Sequence, residues 1–212
     1  MATIKAANPL NAYMGDSIEN AIRAAEAARA IAKDIYAITT VGASEMQSIG
    51  IVGKLVSKLK PSALSLFLRR KETIGDASEH VNLYIEVTLT HLNALREYAG
   101  QDYEPTVTKA FKGIPLWIAT FVIGSLLHGL VVDRLYDREI SNAKTKISQI
   151  KIDISNAYGQ MLQTYNLAKK EPNFIDYLKK NKRVKIFIDK SIEELSVIIN
   201  EKIPSLEDRL DF

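Results

Sequence analysis

Residues 114–132 read Ile-Pro-Leu-Trp-Ile-Ala-Thr-Phe-Val-Ile-Gly-Ser-Leu-Leu-His-Gly-Leu-Val-Val, a run of nineteen without Asp, Glu, Lys or Arg. No other part of the 212-residue chain is as long and as apolar without a formal charge. As a helix rising 1.5 Å per residue the run measures roughly 28 Å, close to the hydrocarbon thickness of a bilayer. Its large side chains, from Ile114 through Phe121 and Leu126 to Val132, cover every side of such a helix. A helix apolar all round is either a membrane span or the central helix of a sizeable core. Lys109 and Lys112 precede it, and Asp133, Arg134, Asp137 and Arg138 follow. Trp117 and Tyr136 stand near its two boundaries, at the level where amphipathic rings favour the headgroups. The flanks and length favour a span. The competing expectation is a buried helix in a soluble all-α bundle.

Within the stretch, Gly124, Ser125, His128 and Gly129 mark a helix–helix contact if it lies in lipid, joined by Trp117 as the interfacial residue. His128 is the one ionisable group there, so it is either a proton-sensitive element or a neutral imidazole bonded to a neighbouring helix. Lys and Arg within twenty residues number three before the stretch (Arg96, Lys109, Lys112) and five after it (Arg134, Arg138, Lys144, Lys146, Lys151). That bias puts the C-terminal side in the cytoplasm if the stretch spans. If the stretch is core, a soluble cytoplasmic protein is expected. The first residues, Met-Ala-Thr-Ile-Lys-Ala-Ala-Asn-Pro, contain no apolar h-region of a secretory signal.

The fold class expected is all-α, with six to seven helices. A long central apolar helix, about 114–135, continues into a heptad-patterned coiled-coil or bundle helix, about 136–170. Ile140, Ile147, Ile154 and Met161 recur every seven residues, with Ala143, Ile150, Ala157 and Thr164 three residues later in the frame. The seam formed by Ile140, Ile147, Ile150, Ile154 and Met161 is expected to pair with another chain or with the N-terminal helices. Around it the chain divides into an N-terminal helical region (1–105), the apolar helix and stalk (106–170) and a C-terminal helical module (171–212).

Residues 1–15 read as an irregular lead-in. Gly15-Asp16-Ser17-Ile18-Glu19 and Gly75-Asp76-Ala77-Ser78-Glu79 each resemble a capping box and so predict helix starts. The first helix is Ala-rich and is expected to stop near Thr39–Gly42. A second is expected over Ser44–Lys60, and a short apolar piece after Pro61. At the other end, Val184, Ile186 and Ile188 alternate, which admits a short strand, whereas Asp189–Ile203 carries a helical period. Pro204 is expected to end that helix and Ser205–Phe212 to fray.

No catalytic or cofactor pattern accompanies this architecture. There is no cysteine, so thiolate chemistry and disulfides are excluded. His80, His91 and His128 show no His-Glu-x-x-His or Glu-x-x-His spacing, and no phosphate loop, dinucleotide fingerprint or serine elbow is present. The expectation is therefore a protein that is not an enzyme and binds no metal or cofactor. Basic and acidic residues nearly balance in both halves, 13 to 12 over 1–113 and 15 to 13 over 133–212, so bulk charge does not indicate nucleic acid. One cluster stands out: Lys179, Lys180, Lys182, Arg183 and Lys185, five bases in seven residues. It suits anionic lipid headgroups, or is simply a solvated face. The partners expected are a lipid bilayer and a protein partner or second copy through the seam. Three functions remain open: a membrane anchor or assembly protein, a soluble bundle that releases 114–132 into membranes, and a plain interaction module.

Overall fold

A computed structural model describes residues 8–48, 61–100 and 129–210, with side chains described over 8–36, 73–100 and 141–210. The all-α expectation holds, and among the described residues there are no strands. Among the described residues five helices are present: α1 (Pro9–Ser48), α2 (Pro61–Ala99), α3 (Gly129–Ala168), α4 (Pro172–Lys180) and α5. The last runs over Lys182–Val197, passes through a π-helical turn at Ile198–Lys202 and continues over Ile203–Leu210. Three of the helices open on proline, whose missing N–H falls where no intrahelical bond is due.

The side-chain contacts fix the directions. Asn8 Nδ2 donates to the Tyr98 carbonyl at 2.6 Å, and the Ser78 hydroxyl to that of Ala32, so α1 and α2 are antiparallel. Thr164 Oγ1 donates to Ser17 Oγ (3.0 Å) and Asn20 Nδ2 to Gln160 Oε1 (2.9 Å), so α3 is also antiparallel to α1. His91 meets Glu194 across α2 and α5, and Lys151 meets Glu207 across α3 and α5. The four long helices thus form a square in the cyclic order α1–α2–α5–α3, with every neighbouring pair antiparallel. Since α2 and α3 occupy diagonal corners and point the same way, the end of α2 at Ala99 and the start of α3 at Gly129 lie at opposite ends of the bundle.

One cluster of buried side chains draws on all five helices. α1 contributes Leu10, Met14, Ile18 and Ile22, then the small residues Ala21, Ala25, Ala28 and Ala32, all nearly inaccessible. Their i, i+4, i+7 spacing puts them on one face, where the absence of bulk lets the neighbouring helices approach closely. Facing them are Ile85, Leu92 and Leu95 of α2, Ile147, Ile154 and Met161 of α3, and Val184, Ile188 and Leu195 of α5.

Several expectations about boundaries are corrected. α1 starts at Pro9 rather than after Gly15, so Asp16 lies inside the helix and is not an N-cap, and the neighbouring Ser17 hydroxyl bonds back to the Met14 carbonyl (2.9 Å). α2 likewise runs unbroken through Gly75–Glu79, and the Ser78 hydroxyl is spent on α1. α1 continues through Gly42 to Ser48, so the expected break near Thr39 is absent. These local signals cost about 1 kcal/mol or less each, and burial along a 40-residue helix outweighs them. Where six to seven helices were expected, the described residues form five. Residues 184–188 are helical, not a strand. Pro204 does not end its helix. The π turn before it makes the Ile203 N–H bond to the Ile198 carbonyl, five residues back, and this shift of register accommodates a residue that can donate no bond. The expected frayed tail is helix to Leu210, with Leu206 and Leu210 buried.

Of the expected long helix at 114–170, Gly129–Ala168 is observed and 114–128 lies outside the described residues. The close packing of α1 makes a clear prediction. Replacing Ala28 with Leu should lower stability by about 1–3 kcal/mol in denaturant melts, because the added carbons have no room. Ala30→Leu, on the exposed side two residues on, should change it by less than about 0.5 kcal/mol.

Candidate functional site

One end of the bundle concentrates both its aromatic contacts and its charge. The α3–α4 turn closes through backbone bonds from Lys170 and Glu171 to the Leu167 and Ala168 carbonyls, and α4 then folds across the bundle end. Phe174 anchors it. The ring is fully buried, edge-on to Tyr13 of α1 at 5.7 Å and to Tyr165 of α3 at 6.4 Å. Asn181 ends α4 by donating its backbone N–H and its Nδ2 to the Tyr177 carbonyl, and α5 begins at once. This short hairpin turns Lys179, Lys180, Lys182, Arg183 and Lys185, the cluster singled out in the sequence, to the outside. Lys179 pairs with Asp176 (3.0 Å) and Lys185 with Asp189 (2.8 Å). Lys180, Lys182, Arg183 and Lys190 make no ion pair among the described residues. Between them Ile175 and Ile186 stand open, Ile186 at 51% exposure.

Beneath this surface Tyr165 is buried, with its ring covered by the Lys169 ammonium at 4.4 Å. Burial, the neighbouring Asp189 carboxylate and a hydrogen bond to it hold its phenol well above the usual tyrosine range. Tyr84 and Tyr177 are raised too, each mainly by burial, with Glu194 next for Tyr84 and Tyr98 for Tyr177.

A second cluster joins α2 to α5. His91 Nδ1 lies 2.9 Å from a Glu194 carboxylate oxygen, and both side chains are mostly buried. The imidazole stacks on Phe187 at 5.7 Å, and Phe187 in turn meets Tyr98 at 6.2 Å. Sequence spacing did not reveal this pair, because its members are 103 residues apart; only the antiparallel register of α2 and α5 unites them. It lacks a nucleophile. The Ser191 hydroxyl, three residues before Glu194, is buried without a hydrogen-bond partner, so no serine–histidine relay is formed.

Towards the opposite end, a groove of about 460 Å³ lies between α2 and α5, edged by Asp76, His80, Glu201, Lys202 and Arg209. His80 Nδ1 bonds to the Asp76 backbone carbonyl (2.7 Å) rather than to its carboxylate. Among the described residues no group of three His, Asp or Glu side chains is placed to hold a metal ion, and no helix is long and apolar enough to cross a membrane.

The other residues expected to act divide into two groups. Trp117, Gly124, Ser125 and His128 lie outside the described residues, and Gly129 is the first residue of α3. Ile147, Ile150, Ile154 and Met161 point into the bundle core, so the seam is covered by helices of its own chain. The side chain of Ile140 lies outside the described set. No protein-family model, curated protein or solved structure matches the chain.

The tyrosines give this end a pH dependence. A raised folded value favours the neutral phenol, so the contribution is fully present below about pH 10, where the unfolded phenol ionises, and is lost as pH rises through the folded value. The denaturant midpoint should therefore fall as pH is raised above about 10. Tyr165→Phe should make that fall shallower, whatever its midpoint at neutral pH; an unchanged slope would contradict the assignment.

Proposed function

We propose that this chain is a non-enzymatic membrane-associated protein, in which a self-contained helical bundle is held at a bilayer through residues 114–132 and serves to anchor or assemble a complex. One observation carries the reading. Among the described residues the four long helices are supplied by 9–48, 61–99, 129–168 and 182–210, which take from the most apolar stretch of the chain only Gly129–Val132. The soluble alternative gave that stretch the place of the central core helix, whereas the described core is drawn from the five helices above. Because α1 and α2 pack against α3 and α5, the residues before and after the stretch stand on one side of a bilayer, so the attachment is not a single crossing; the hydrophobicity of the stretch suits entry into lipid from that side. The seam of α3 being covered by its own bundle, assembly with partners falls to the exposed surfaces rather than to a coiled coil between chains.

A second reading is favoured by the same closure. A bundle that completes its own core can fold in water first and insert 114–132 afterwards.

Fractionation of the expressed full chain separates the two. Membranes are washed at high salt and neutral pH, since alkaline extraction enters the range where the buried tyrosines weaken the fold. An anchored protein stays with the washed membranes. A protein found monodisperse in the soluble fraction overturns the anchor; leakage of lipid vesicles by that soluble form then selects the second reading, and no leakage overturns both.

A further inference from the structure

The chain has a net charge of +3, yet residues 169–190 alone hold eight basic and three acidic side chains, a net of +5 on one end of the bundle. Lys180, Lys182, Arg183 and Lys190 lack an acid partner among the described residues, and Ile175 and Ile186 are exposed among them. On α5, Lys182, Ile186 and Lys190 follow each other at four-residue intervals on the face opposite the buried Val184, Ser191 and Leu195.

We propose that this α4–α5 tip is a peripheral docking surface for anionic lipid headgroups, separate from 114–132. Four features argue for lipid over other acidic partners. The charged side chains stand exposed on the two helices rather than sunk in a pocket, which suits a broad surface. A second copy of the chain meeting it tip to tip would bring like charges together. Base stacking needs free aromatic faces; Phe174 and Tyr165 are buried, Phe187 is engaged by His91 and Tyr98, and the partly exposed Tyr13 and Tyr98 rest against Phe174 and Phe187. Flexible lysines around isolated isoleucines suit a fluid anionic surface, which gives up charge attraction and accepts shallow apolar insertion.

Position separates this tip from the apolar stretch. Gly129–Val132, where the stretch passes into α3, lie about 50 Å along the helix from Tyr165 at the tip. The tip and Gly129–Val132, the described end of the stretch, therefore lie at opposite ends of the bundle, and the two attachments are tested independently.

The test is flotation of the purified full chain at neutral pH with vesicles of phosphatidylcholine alone or mixed with phosphatidylserine. The Ile123→Lys variant, which removes insertion, should still float with the serine-lipid vesicles, stay unbound on phosphatidylcholine and be released as salt is raised. Adding Lys182→Glu and Arg183→Glu should reduce that binding by about tenfold or more. Both side chains are exposed, so circular dichroism should show unchanged helix content; Lys182→Gln with Arg183→Gln gives a milder check, with an intermediate loss. Equal flotation on both lipids, no flotation on either, or indifference to charge reversal overturns the proposal. So does binding to single-stranded RNA without binding to vesicles. Failure of the wild-type chain to remain with salt-washed cell membranes bears only on 114–132, so the two readings fail separately.

Discussion

Close contact along the alanine face of α1 sets the geometry from which the rest follows. Ala21, Ala25, Ala28 and Ala32 leave no side-chain bulk on that face, and α1 borders both α2 and α3. Short polar ties become possible at that distance, such as the Ser78 hydroxyl on the Ala32 carbonyl and the Thr164–Ser17 contact. Each such bond contributes only about 1 kcal/mol, but it requires one register and one direction. With α2 and α3 both held antiparallel to α1, and α5 filling the fourth corner, α2 and α3 must be diagonal and parallel. The end of α2 and the start of α3 then stand at opposite ends of the bundle.

The bundle is also polar along its length in a sense that the overall charge conceals. Basic side chains gather where α4 crosses the end, while the flanks carry mixed pairs such as Lys33–Glu86 and Lys151–Glu207. The aromatic packing of Phe174, Tyr13 and Tyr165 is what holds the hairpin against the bundle and keeps its lysines outward. Removing α4 from its aromatic seat would scatter those charges, so the surface depends on the core beneath it.

Much of this architecture was legible in the sequence. Heptad spacing placed Ile147, Ile150, Ile154 and Met161 on the buried side of α3. The lysines of the basic cluster are exposed, as a headgroup contact and a solvated face alike require. What misled were local punctuation signals. Gly15-Asp16-Ser17 and Gly75-Asp76 look like helix starts, but tertiary burial extends both helices through them. Pro204 looks like a stop, and a π turn absorbs it. The His91–Glu194 pair escaped because no rule of sequence spacing joins residues on separate helices before their register is known. The seam was recognised, but a heptad pattern is the same whether its cover comes from another chain or from helices of its own.

The central claim is that the apolar stretch belongs in lipid while the bundle stands without it. The chain has a single tryptophan, Trp117, and it lies within that stretch. Its fluorescence therefore reports the stretch alone, with no substitution needed. The decisive measurement is its quenching by phospholipids brominated along their acyl chains, in membranes containing the wild-type protein at neutral pH. The account predicts strong quenching while circular dichroism shows the helices intact. Blue-shifted emission that brominated lipids leave unquenched would place Trp117 inside the protein and contradict it.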